Sequence, residues 1–321
     1  MSLRRLFWLI AFWLTAAAIA LLSAAPPKAG PSHIRIPVWV ESANSGTVKA
    51  ADMSATLEGS SSRVVGVKGP GDDLMLLVVL DLVDDLTLNA VAKQALMEQI
   101  GRLPASTYVG LMRAQDGLKV LADPSPDRAP VLEAVQNLPV SGKAGLLDTV
   151  EASGRIADAI LNKASVRVAV LYVTDSEVQN YREDFTNPVI NSSDSHDLSR
   201  RFPEALVQEK ISKLKGSLAG QQAPLFVVHL RYRSDRLNEA YQIGLKQLAE
   251  TTAGTSIFCR STAEVPDAIR SILETISTHY SVTVALPERL PKTVQVQLTA
   301  SGAEGENLAL SYRTRLAIRE K

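Results

Sequence analysis

The sequence predicts an α/β fold: a doubly wound, mostly parallel sheet with small β segments flanking it at both ends. Three observations carry this. LMLLVVLDL (74–82) and VRVAVLYVTD (166–175) are unbroken apolar runs of strand length, as in strands covered on both faces. Stretches with helical spacing separate such runs, and that alternation calls for a parallel sheet with helices on both sides. At both ends of the chain the apolar period drops to two.

In chain order, IRIPVWVES (34–42) alternates Ile34, Ile36, Val38 and Val40 with Arg35, Pro37, Trp39 and Glu41. That is one-faced strand spacing, and Pro37 argues for an edge. Short strand-like pieces follow at MSATLEG and RVVGVKG, so 33–73 reads as an N-terminal β segment. The central domain is expected over 74–278. After the 74–82 strand, LTLNAVAKQALMEQIGRL has helical spacing. TYVGLMRA and GLKVLADP read as strands joined at Asp116-Gly117, a tight-turn pair. Helices are expected at 126–138 and 145–163, then the 166–175 strand and a polar, turn-rich stretch over 176–200. A helix (202–218), a strand (223–232), a helix (236–251), a strand (255–260) and a helix (262–277) complete the alternation. HYSVTVALP, KTVQVQLTA and LALSYRTRLAI make 279–321 a second, C-terminal β segment.

Lysine plus arginine and aspartate plus glutamate both number 34, so no basic face announces nucleic acid, and none is expected as a partner. The single cysteine, Cys259, cannot form an intramolecular disulfide and reads as a buried apolar residue. Residues 6–25 carry no charge and follow Arg4 and Arg5. Residues 1–25 read either as a signal peptide, with Ser23-Ala24-Ala25 as the cleavage site, or as an N-terminal membrane anchor through 6–25. In both cases the rest is extracytoplasmic: periplasmic, cell-surface or secreted. Residues 26–32 are a Pro/Gly-rich linker.

The strand at 74–82 runs into Asp81, Asp84 and Asp85, and the 166–175 strand ends on Asp175. Ligands of doubly wound sheets sit beyond the carboxyl ends of the strands. Carboxylates gathered there suit Mg²⁺, Mn²⁺ or Ca²⁺. The order of elements, with LLVVLDLVDDLT, GKAGLLDTV and VAVLYVTDSE at their places, resembles a von Willebrand factor type A domain. More narrowly it resembles the VWFA-related Acidobacterial domain group, over roughly 33–318. The resemblance implies a non-catalytic protein-binding module with a metal-ion-dependent adhesion site (MIDAS). Its pattern is Asp-x-Ser-x-Ser, then a Thr, then a late Asp. On this sequence the first Asp is Asp81, the two Ser positions hold Val83 and Asp85, the Thr position holds Ala144, and the late Asp is Asp175. The metal set would thus be Asp81, Asp85 and Asp175. Valine and alanine offer no lone pair, so the site is expected to be degenerate and no cofactor is expected. Lys143 is expected to replace the metal as an internal counter-ion to the acids.

The binding rim is expected from Asp84, Lys143, Ser176, Glu177, Tyr181 and Phe185, because binding residues concentrate on loops held by a rigid scaffold. The partner is an unidentified protein. The alternative is a structural scaffold or assembly component of an envelope complex that uses the flanking β segments. His33, His196, His229 and His279 fall on different elements, and His229, inside a strand, reads as a hydrogen-bonded structural residue. No HExxH, GxSxG or P-loop pattern is present, so no catalysis is expected.

Overall fold

A computed structural model describes residues 33–41, 48–181, 203–287, 289–302 and 305–318. Its central sheet has strand order β10-β9-β8-β5-β6-β7. The strands are β5 (Leu74–Asp81), β6 (Thr107–Arg113), β7 (Lys119–Ser125), β8 (Arg167–Thr174), β9 (Leu225–His229) and β10 (Ser256–Phe258). All neighbours pair in parallel except β6 and β7. The helices are α1 (Leu86–Arg102), α2 (Ala129–Asn137), α3 (Leu146–Lys163), α4 (Pro203–Leu218), α5 (Arg236–Thr251) and α6 (Val265–Thr278).

The two faces of β5 explain why its sequence shows no alternation. Leu74, Leu76, Val78 and Leu80 join one core with α1, α2 and α6. Leu77 and Val79 join the other core, with α3, α4 and α5. From β5 the chain moves one way to β6 and later returns to the other side as β8. The switch point therefore lies above the carboxyl ends of β5 and β8, where Asp81 is in register with Thr174.

The two flanking segments, expected as separate β elements, combine into one. One sheet has order β13-β1-β11-β4 and the other β14-β12-β2-β3. Their strands are β1 (His33–Val40), β2 (Met53–Leu57), β3 (Ser60–Ser62), β4 (Val64–Lys68), β11 (Tyr280–Ala285), β12 (Thr293–Ala300), β13 (Leu310–Tyr312) and β14 (Arg315–Ala317). Only Arg63 separates β3 from β4, and only Arg313 and Thr314 separate β13 from β14. The chain thus turns the corner from one sheet to the other at both edges, giving a barrel-like sandwich around Ile36, Val282, Val294 and Val296. Pro37, expected at an edge, lies in a strand flanked on both sides. The reason it is tolerated is local: β13 pairs only with Val38–Val40. The Arg35 N–H, on the side where the Pro37 nitrogen also lies, bonds to the Gln222 side chain at 2.7 Å rather than to a strand.

Candidate functional site

The site is built on the ends of β5 and β8 and the first turns of α1 and α3. Asp81 is fully buried. Its Oδ1 accepts from the Gly145 N–H at 2.9 Å, and its Oδ2 from the Leu146 N–H at 3.3 Å and the Thr174 hydroxyl at 3.2 Å. These backbone donors open α3, where the helix dipole favours an anion. Residue 145 must be glycine here, because a Cβ would lie 1.8 Å from the Ala114 carbonyl oxygen. Burial pushes the Asp81 carboxyl up to about 6, against the pull of those hydrogen bonds.

Asp175 is 2 % exposed and receives four donors. The backbone N–H groups of Val83, Asp84 and Asp85 reach it at 2.7, 3.0 and 3.0 Å, and the buried Asn89 amide at 2.7 Å. One carboxylate thus staples the whole β5–α1 turn. Asp85 faces another way: it caps α1 through the Leu88 N–H at 3.0 Å and lies 3.5 Å from Arg231.

A hydrogen-bonded file runs inward from Asp81. Thr174 Oγ1 lies 2.6 Å from Ser176 Oγ, which lies 3.0 Å from the Tyr241 hydroxyl, which lies 2.9 Å from that of Tyr181. The Leu147 N–H donates to Tyr181 at 3.3 Å. Since Thr174 gives its one proton to Asp81, each hydroxyl in turn donates toward the carboxylate. The file ends on the ionised form of Asp81. His229 donates through Nε2 to the Ser176 carbonyl at 3.0 Å, and burial lowers its imidazole to about 4, so it is neutral and structural. Cys259 is buried, and its thiol is pushed up to about 11.

The expected metal set therefore does not converge. Among the described residues, no group of three or more His, Cys, Asp or Glu is placed to hold a metal ion. Asp81 accepts three N–H and O–H donors and Asp175 four, so both carboxylates are engaged by protein groups. Asp85 caps its own helix, and Val83 and Ala144 supply no lone pair. The donor set does not fit a divalent ion.

The counter-ion expected of Lys143 is also corrected. Lys143 is exposed, and its backbone N–H bonds to Asp116 at 3.2 Å. Among the described residues its ammonium makes no ion pair, and peptide N–H groups take its expected place. Of the expected rim, Asp84 is exposed, whereas Ser176, Glu177 and Tyr181 are buried. Glu177 pairs with Arg233. Phe185 lies outside the described residues.

What the upper edge does expose includes two apolar groups that sequence reading passed over, Leu86 at 70 % and Tyr232 at 37 %. Arg231 joins their two loops through Asp85, and the Arg260 guanidinium lies 5.9 Å from the Tyr232 ring. The signal was the RYR tripeptide at 231–233, one residue past the end of β9.

With this strand order and the two acids at the switch point, the chain can be set beside known structures. Its structural neighbours are von Willebrand factor type A domains. One, a von Willebrand factor type A protein from Catenulispora acidiphila, is 14 % identical, with 91 % of this chain and 75 % of that one covered and a TM-score of 0.45. An aerotolerance-related membrane protein from Bacteroides fragilis is 13 % identical, covering 63 % and 99 %, with a TM-score of 0.40. Proximal thread matrix protein 1 from the mussel byssus, with a zinc-occupied MIDAS motif, is 10 % identical, covering 69 % and 50 %, with a TM-score of 0.44. No protein-family model matches the sequence, and no curated protein does.

Proposed function

We propose that this chain is a non-catalytic, extracytoplasmic protein-binding module of the von Willebrand factor type A kind, whose upper rim engages its partner without a divalent ion. One observation carries the reading. Asp175 holds the β5–α1 turn by three consecutive N–H groups, and that fixed turn presents Leu86 to solvent. A rigid, exposed apolar side chain, with Tyr232, Arg231 and Arg260 on the neighbouring loops, has the composition of a binding hot spot. Extracytoplasmic placement rests on the charge pattern of residues 1–25. Among the described residues no helix is long and apolar enough to cross a membrane, and residues 6–25 lie outside them.

The scaffold reading finds less support. Its contact would run through the flanking β segments, whose outer strands β3, β4, β13 and β14 are short, a poor template for strand addition. Photo-crosslinking in cells tests the choice. A crosslinker at position 86 or 232 captures one discrete partner, with or without chelator, whereas one at Val120 on edge strand β7 does not. Capture from β4 or β14 positions, and none from 86 or 232, would overturn the rim reading in favour of the scaffold.

A further inference from the structure

We propose that the end of the β sandwich where the chain enters at His33 rests on an anionic membrane surface, which Arg63, Arg289 and Lys292 contact. The inference rests on the anchor reading of residues 6–25 and adds a second, electrostatic contact to it.

The strand registers locate this end. β4 leaves for the central sheet beyond Lys68, whose partner in β11 is Ser281, and Tyr280 at the start of β11 pairs with Val38. That end of the sheet adjoins the α/β layer. At its other end His33 pairs with Ala285, whose N–H bonds to the Arg63 carbonyl at 2.9 Å. The turn 286–292 leaves from Ala285 and leads into β12, and the Ile318 N–H bonds to the Lys292 carbonyl at 2.8 Å. The rim lies at the carboxyl ends of β5 and β8, the opposite edge of the central sheet from the sandwich, so this contact leaves the rim clear.

Leu286 and Leu290 pack against the sandwich core and fix the turn, while Pro287, Arg289, Pro291 and Lys292 are exposed. Arg63 is exposed too, and among the described residues none of the three basic side chains makes an ion pair. Glu58, in the turn before β3, accepts the Gln295 N–H instead. The whole chain is balanced at 34 basic and 34 acidic residues. Over the linker 26–32, the turn 286–292 and the stretch 315–321, however, basic residues outnumber acidic ones six to two. Such an excess attracts anionic headgroups over about a Debye length, roughly 10 Å at 0.1 M salt. Residues 26–32, fully extended, span at most about 25 Å. An anchor at 6–25 therefore makes the contact intramolecular, and a few individually weak charges suffice.

The test uses the full chain reconstituted into vesicles of phosphatidylcholine, with or without phosphatidylglycerol, that carry a nitroxide on some headgroups. A fluorophore is placed at Thr293→Cys, beside Lys292, or at Thr87→Cys on the rim; both positions are exposed, and the native Cys259 is buried. Quenching at position 293 is severalfold stronger with phosphatidylglycerol. It falls back at high salt and in Arg289→Glu/Lys292→Glu, whose melting temperature matches wild type, while position 87 stays unquenched. Equal quenching at 293 in both vesicles, no loss in the double variant, or quenching at 87 overturns the proposal. Mass spectrometry of the chain recovered from cells tests the anchor separately. A chain that keeps residues 1–25 supports it; one that lacks them removes the tether and overturns the proposal at its premise.

Discussion

The two edges of the central sheet use one electrostatic rule with opposite signs. At the upper edge the starts of α1 and α3 offer N–H groups, and buried carboxylates, Asp175 and Asp81, receive them. At the lower edge helix ends offer carbonyls, and arginines receive them. Arg167, 3 % exposed, donates to Ser277 in the last turn of α6, to His279 just after it and to Asp72 before β5, at 2.8, 3.1 and 2.8 Å. Arg313, between β13 and β14, donates to Ala219, Gln221 and Thr251 at the ends of α4 and α5. Beside it, Trp39 of β1 donates to the Thr275 carbonyl at 2.9 Å. The difference is in what each edge does. The lower arginines hold the chain ends where the β sandwich meets the α/β layer, whereas the upper acids tie the loops after β5 and β8 and the start of α3 to one another and leave Leu86 exposed for a partner.

Four changes break or sharpen this contrast. The largest effect is expected from Asp175→Ala, which orphans three backbone N–H groups and the Asn89 amide. It should cost about 4 kcal/mol, or roughly 10 °C in melting temperature, by thermal denaturation. Asp175→Asn, which keeps an acceptor, should recover part of this. At the opposite edge, Arg167→Met should cost about 3 kcal/mol by urea denaturation, because three carbonyls lose a shared charged donor.

The third change concerns pH. The Asp81 carboxyl titrates at about 6 when folded and at 3.8 in the reference state, so the folded form holds its proton more tightly. Its contribution favours folding below pH 4 and is lost as pH rises through 6. Asp81→Asn should therefore gain about 2 kcal/mol relative to wild type between pH 4 and pH 7, by denaturant titration at both values. His229 and His279 act in the opposite sense. Both are lowered from 6.5 to about 4 by burial, and their contributions are lost as pH falls through that interval. The smallest effect is expected from Lys143→Thr, an exposed change that should move stability by less than about 0.5 kcal/mol in a thermal melt.

The central strands were legible because burial on both faces writes an unbroken apolar run, and β5 and β8 carry their acids at the ends where sequence placed them. The union of the two flanking segments was not legible. β1 pairs with β11 across nearly the whole chain, and no local pattern encodes that register. The acids were found, but not their partners. Asp175 is served by backbone groups and by Asn89, which reads in sequence only as a polar residue within a helix. Tyr181 looked like a rim residue because its partner, the Tyr241 hydroxyl, lies 60 residues away in sequence. Lys143 looked like a counter-ion because it precedes Ala144, yet Ala144 is buried while Lys143 is exposed.

The claim that the upper edge is held by protein donors and not by a cation is tested most directly by one melt. The full chain, stripped with chelator, is titrated with Mg²⁺, Mn²⁺ and Ca²⁺ while its melting temperature is followed. The account predicts no saturable shift, in wild type or in Lys143→Thr. An ion bound only by the folded state at 100 times its Kd would add about 2.7 kcal/mol, a rise of several degrees. A saturable rise of that size, lost in Asp81→Asn, would contradict the account and return a metal to the rim.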